Sequence, residues 1–182
     1  MLRKALIALG SLALLSGCDT IAPANSSGGA GTTAATTAAT PTPNNLERPV
    51  GASFTDTDSS NNEMTVTLMS VQDPATGADQ YTTPDNGKRF VAARFKIVGK
   101  SGTFSDDANS NATVIGSDSQ TYQADFSNVK GCTNFNSGSY TVTAGQTSIG
   151  CVVFQVPKGV KVAQIEWGAL FGGGAPAIWM VS

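Results

Sequence analysis

Phe90-Val91-Ala92-Ala93-Arg94-Phe95-Lys96-Ile97-Val98 alternates along its length. Val91, Ala93, Phe95 and Ile97 fall on one face and Arg94 and Lys96 on the other, the pattern of a strand with one wet side. Met64-Thr65-Val66-Thr67-Leu68 repeats it. Cys151–Val156 is a denser apolar run and reads as a central strand buried on both faces. Further strand candidates are Gly51–Thr55, Ala112–Gly116, Thr121–Phe126, Tyr140–Val142, Val162–Ala169 and Ala177–Val181. Turn chemistry separates them at Asp73-Pro74, Pro84-Asp85-Asn86-Gly87, Lys100-Ser101-Gly102, Gly116-Ser117-Asp118-Ser119, Ala144-Gly145 and Pro157-Lys158-Gly159. No window past the first residues holds a 3.6-residue apolar spacing, so no helix is expected. Eight or nine short strands within residues 46–182 predict one all-β, antiparallel β-sandwich domain.

Upstream the composition changes twice. Arg3 and Lys4 form a positive region, and Ala5–Leu15 an apolar run of eleven residues. A helical span needs about 20 apolar residues, so residues 1–17 read as a signal peptide. The run ends in Leu15-Ser16-Gly17-Cys18, which resembles the lipobox of bacterial lipoproteins. The resemblance implies cleavage behind Gly17 and diacylation of the Cys18 sulfur. Two acyl chains hold a protein stably at a bilayer where one does not. The expected place is therefore the extracytoplasmic face of the cell membrane, with the lipid as the membrane contact. Asp19 resembles an inner-membrane retention signal if the cell has two membranes. Residues 18–45 are almost entirely Ala, Thr, Gly, Ser, Asn and Pro, too poor in large apolar side chains to repay ordering. They read as a disordered stalk, about 30 Å between its ends as a flexible coil. The Thr-rich, Pro-containing composition also fits O-glycosylation.

The 182 residues contain no histidine, which removes Ser–His–Asp and Cys–His triads and His-ligated metal sites. Loss of residues 1–17 leaves nine basic against thirteen acidic groups, a net charge of −4. Nucleic acid is excluded as a partner, because its binding rests on a basic patch. Cys132 and Cys151 are an even pair in a chain expected to be exported, and read as a disulfide. It would tie the Gly- and Asn-rich loop around Gly131–Ser139 to the central strand. Two free thiols are the alternative; a metal pair lacks both His and C-x-x-C spacing.

Val71-Gln72-Asp73-Pro74, Gly87–Lys96, Asp118–Tyr122 and Ala144-Gly145-Gln146-Thr147 followed by Gly150–Pro157 share an order. Together they resemble the bacterial exported domains grouped as domain of unknown function 4352, over about Val50–Val181. Val98-Gly99-Lys100 departs from that family, where an Asn commonly ends the strand. The resemblance implies an immunoglobulin-like sandwich and brings no catalytic residue with it.

Other fragments suggest chemistry and are weighed on their geometry. Ser127-Asn128-Val129-Lys130, Ser117-Asp118-Ser119 and Lys100-Ser101-Gly102 imitate penicillin-binding enzymes, in reversed order and without the helix that presents the serine. Met64 and Met69 have a thioether's taste for Cu(I). Being five apart on a strand they point to opposite faces, so core packing is expected of them. Asp106-Asp107 with Asn109 and Asn111, and Asp56, Asp58 and Glu63, carry oxygen ligands without the glycine or spacing of a calcium loop. Trp167, Phe171 and Trp179 read as core, with interface anchors as the alternative. No catalytic residue, metal or cofactor is expected. The reading is a non-enzymatic binding module meeting an unidentified envelope protein or small ligand; the alternative is an envelope small-ligand or calcium carrier.

Overall fold

The computed structural model describes residues 47–58, 60–168 and 175–181. Residues 1–45 with Cys18, and Phe171 with Gly172-Gly173-Gly174, lie outside them.

Within the described residues eleven strands and one short helix follow in chain order: β1 (Glu47–Pro49), β2 (Ser53–Thr57), β3 (Glu63–Ala75), β4 (Lys88–Ser101), β5 (Thr103–Asp107), α1 (Ala108–Asn111), β6 (Ala112–Gly116), β7 (Thr121–Asp125), β8 (Ser139–Thr143), β9 (Thr147–Pro157), β10 (Val162–Trp167) and β11 (Ala177–Met180). Nine run side by side in the order β1-β11-β10-β6-β7-β9-β4-β3-β2, while β5 and β8 pair separately. Strand β7 bends the sheet on itself. Its Thr121–Gln123 pair with β6, and Ala124 and Asp125 pair with β9. The two layers so formed enclose a core that includes Trp167, Trp179, Phe95, Phe154, Leu68 and Ile165, all fully buried. Phe95 touches both tryptophans, at ring-centroid separations of 4.8 and 6.0 Å. The fold is the all-β sandwich expected.

The expected alternation holds in β4 and β3. Val91, Ala93, Phe95 and Ile97 enter the core, as do Met64, Val66 and Leu68. Cys151–Phe154 is buried throughout, as a central strand should be. Four expectations need correction. The sandwich is not wholly antiparallel, because β1 runs parallel to β11. Only Val50–Ala52 separates β1 from β2, and that short link carries the chain from one layer to the other. Asp73-Pro74 lies inside β3, not in a turn; the register shifts between Gln72 and Ala75, so the proline's missing N–H costs no ladder bond. Met64 is core, but Met69 falls on the bulge between Leu68 and Ser70 and is 41% exposed. Helix α1 exists because the Asp107 carboxylate accepts from the Asn109 and Ser110 amides. One turn is too short to show a period.

Strands β1 and β5 were also not expected. In β5 the only large apolar side chain is Phe104, and the pairing to β8 adds a Ser105–Thr141 hydroxyl contact of 2.9 Å. Gly99 sits under the β8–β9 turn. A Cβ there would stand 2.1 Å from the Thr143 carbonyl oxygen, so only glycine admits the approach.

Candidate functional site

The outward face of β4 and β9 carries a second, smaller apolar cluster of Phe90, Ala92, Val129 and Val153, with Ala75 and Cys132 against it. Two loops cover it and hold each other. Gly77 bridges Val129, the Ala78 amide donates to the Asn128 carbonyl at 2.9 Å, and the Lys130 amide donates to Thr76 at 2.8 Å.

The second loop, residues 126–138, is fastened at several points. At its start the Asp125 carboxylate accepts from the Ser127 amide at 2.8 Å and the Gln155 side-chain amide at 2.6 Å. Burial pushes Asp125 up, but these hydrogen bonds outweigh it and hold the group below the ordinary carboxylate value. Pairing of β9 with β7 stops at Asp125–Val153. Farther along this edge of β9, the Cys151 amide donates to the Thr133 carbonyl at 2.8 Å. Cys132 is disulfide-bonded to Cys151 on the outward face, with Cα atoms 5.7 Å apart. Phe135 crosses to the inward side and lies over Gly150, where a Cβ would meet its ring at 2.5 Å. Its ring centroid is 5.9 Å from that of Tyr140. At the far end the Ala108 amide donates to Gly138 at 2.9 Å. Phe135 and Ser137 are held at φ 31° and 53°, strain that such anchoring sustains.

Between these fastenings lies a depression of about 450 Å³ lined by Phe126, Asn128, Thr133, Asn134, Phe135, Asn136 and Ser137. None of the seven side chains ionises. Phe126 is 75% exposed, whereas Asn134 is only 6% exposed and its buried Oδ1 has no hydrogen-bond partner. A second depression, also about 450 Å³, lies by Thr76, Asp79, Thr82 and Lys130. Its Asp79 carboxylate is already engaged by the Tyr81 and Thr82 amides and the Thr82 hydroxyl.

The candidates from the sequence fall as follows. Trp167 and Trp179 are core, and the Trp179 indole N–H donates to the Ala52 carbonyl at 2.8 Å. Among the described residues the large aromatics that stand exposed are Phe126 and Tyr81, neither of them a site candidate in the sequence. Their one signal is an aromatic set among Ser, Asn, Asp, Gln and Thr. The three enzyme-like fragments have separate neighbours. Ser127–Lys130 lies over the outer cluster, Ser117 exchanges hydrogen bonds with Lys161, and Gly102 meets Ala144. They assemble no site.

The acidic stretches draw together around Tyr140, whose hydroxyl donates to the Met64 sulfur at 3.7 Å. Burial pushes the Tyr140 phenol far up, helped by the charges of Asp106, Asp56 and Asp107. Asp56 is raised by burial, with Asp106 and Asp58 adding repulsion. The other carboxylates are engaged locally. Asp58 accepts from Asn62 and Ser60 and is lowered by those bonds, Asp107 caps α1, and Asp106 accepts from Asn111 at 3.0 Å. Among the described residues no three His, Cys, Asp or Glu side chains are gathered to hold a metal ion, and no helix is long and apolar enough to cross a membrane.

Residues 55–177 match the family model described as Domain of unknown function (DUF4352). Among solved structures, the secreted protein MPT63 of Mycobacterium tuberculosis superposes with a TM-score of 0.53, at 19% identity, over 74% of this chain and 96% of that chain. The likeness is one of fold, the immunoglobulin-like sandwich. No curated protein matches.

Proposed function

This chain belongs to the DUF4352 family, which carries a fold and no assigned activity, and from its own geometry we propose a non-enzymatic binding module of the cell envelope. Lipid on Cys18 holds it at the extracytoplasmic face of the membrane, residues 18–45 form its stalk, and the 126–138 loop is its contact surface. One observation carries this reading: a loop tied down by a disulfide, a strand edge and a half-buried ring packed on the core presents an exposed phenylalanine. Anchored loops lose little entropy on binding, and aromatics in such places are the usual contributors of binding energy. The space between the layers, where a carrier would hold an apolar ligand, is filled by Trp167, Trp179, Phe95 and Phe154.

The test has two arms, both in the native cell with the full chain. Cys18→Ala is expected to release the protein from the membrane fraction or leave it unprocessed. A photo-crosslinking residue at position 126 is expected to capture an envelope component that the same residue at Gln123, on β7, does not. Equal membrane retention of both forms removes the anchor, and equal labelling from 123 and 126 removes the contact surface.

A further inference from the structure

We propose that the depression beneath Phe126 binds a neutral, hydroxyl-rich saccharide, an assignment that rests on the contact surface described above and names its ligand.

The lining decides the ligand's chemistry. Asn128, Asn134 and Asn136 each offer a carbonyl acceptor and an amide donor, and Thr133 and Ser137 offer hydroxyls that act either way. A saccharide's hydroxyls donate and accept in the same manner. No charged side chain lines the space, so a phosphate, a carboxylate or an ammonium group would lose its hydration without a partner. The ring of Phe126, open to solvent over most of its surface, has a negative π face that suits the weakly positive C–H face of a pyranose ring. About 450 Å³ falls within the range of small-molecule sites and leaves room for a short saccharide.

One further observation tells against a peptide, and a second calls for a ligand that donates a hydrogen bond. An extended peptide would pair with a strand edge, and on this side of β9 Thr133 already takes the Cys151 amide. The Asn134 side-chain oxygen is buried, without a partner, in the wall of the depression. Leaving such an acceptor unmet is costly, and a ligand hydroxyl reaching it would recover that. The strained, multiply fastened backbone at Phe135 and Ser137 holds these groups in place before the ligand arrives.

The full chain, in a detergent without a sugar headgroup, is to be titrated with maltotriose, mannotriose, cellotriose and chitotriose. Trigalacturonate and trialanine provide the charged and peptide comparisons. Saturable binding of at least one neutral trisaccharide is expected, weakened about tenfold or more by Phe126→Ala and by Asn128→Ala. Both residues are exposed, so thermal midpoints should stay near wild type. Asn134→Ala should weaken binding as well. The proposal falls if none of the four neutral sugars binds, or if both exposed-site variants bind them as wild type does. Preference for trigalacturonate or trialanine also overturns it. In each of those cases position-126 crosslinking still reports separately on the contact surface, so loss of the ligand class and loss of the binding module are distinguishable.

Discussion

Strands β4 and β9 have two buried faces of different origin. The inward face, with Phe95, Val152 and Phe154, is closed by the opposite layer, where Trp167 and Trp179 meet it. The outward face, with Phe90, Ala92 and Val153, is closed only by loops that a disulfide and a few backbone bonds hold down. A face closed by a sheet is shielded along its whole length. One closed by loops keeps gaps within and beside them, and the Phe126 depression is lined wholly by the 126–138 loop. The difference assigns most of the stability to one side of the strands and leaves the other side to the contact role proposed above.

The contrast can be broken at its strong end first. Trp167→Ala should cost about 3–5 kcal/mol, the usual range for emptying an aromatic core site. Chemical denaturation measures it, and a loss under 1 kcal/mol would mean that the two layers are not what stabilises the domain. Cys132→Ala with Cys151→Ala comes next. Its chain-entropy cost is about 3 kcal/mol, and it should fall mainly on the loop. Hydrogen exchange should then rise in residues 126–138 before it rises in β4; simultaneous exchange in both would contradict the division. Gly150→Ala forces a methyl against the Phe135 ring and should cost about 1–3 kcal/mol. If it proves neutral, Phe135 does not lie over β9.

Two smaller effects sharpen the comparison. The folded-state pKa of Asp56 lies above its ordinary 3.8, mainly through burial. Its relative stabilisation is therefore complete below the unfolded value and is lost as pH rises through the folded one. Asp56→Asn should stabilise by a few tenths of a kcal/mol at neutral pH, given the group's partial exposure, and the difference should vanish below about pH 3.8. Thermal midpoints of the pair across that range test it, and a gain that persists in acid refutes the assignment. Asp125 works the other way: held low, its contribution is present above the unfolded value and is lost as pH falls through the folded one. Smallest of all, Phe126→Ala should change stability by no more than about 0.5 kcal/mol, since its ring rests in solvent. A larger loss would make it a packing residue and deprive the depression of its aromatic wall.

Much of the molecule was legible from side-chain order alone. The period-two runs at 64–68 and 90–98 and the dense run at 151–156 all form strands, because one strand's alternation needs only a surface to lie against. The Gly- and Asn-rich stretch at 131–139 was legible as the segment Cys132 could fasten. Strand β5 was hidden because Thr103–Asp107 has too few apolar residues to alternate. Met69 was misplaced because the alternation that buries Met64, Val66 and Leu68 turns it to the opposite face, which at that end of β3 is open to solvent.

The chain's own order of residues settled the period of its strands, the filled β-core, the net acidity and the absence of histidine chemistry, since each depends on residue type and near neighbours. Only the folded arrangement decided that Trp167 and Trp179 are enclosed while Phe126 stands open, and that three asparagines, a threonine and a serine border one space. Whether an aromatic is covered depends on what comes to lie over it, and here the cover comes from segments remote in the chain.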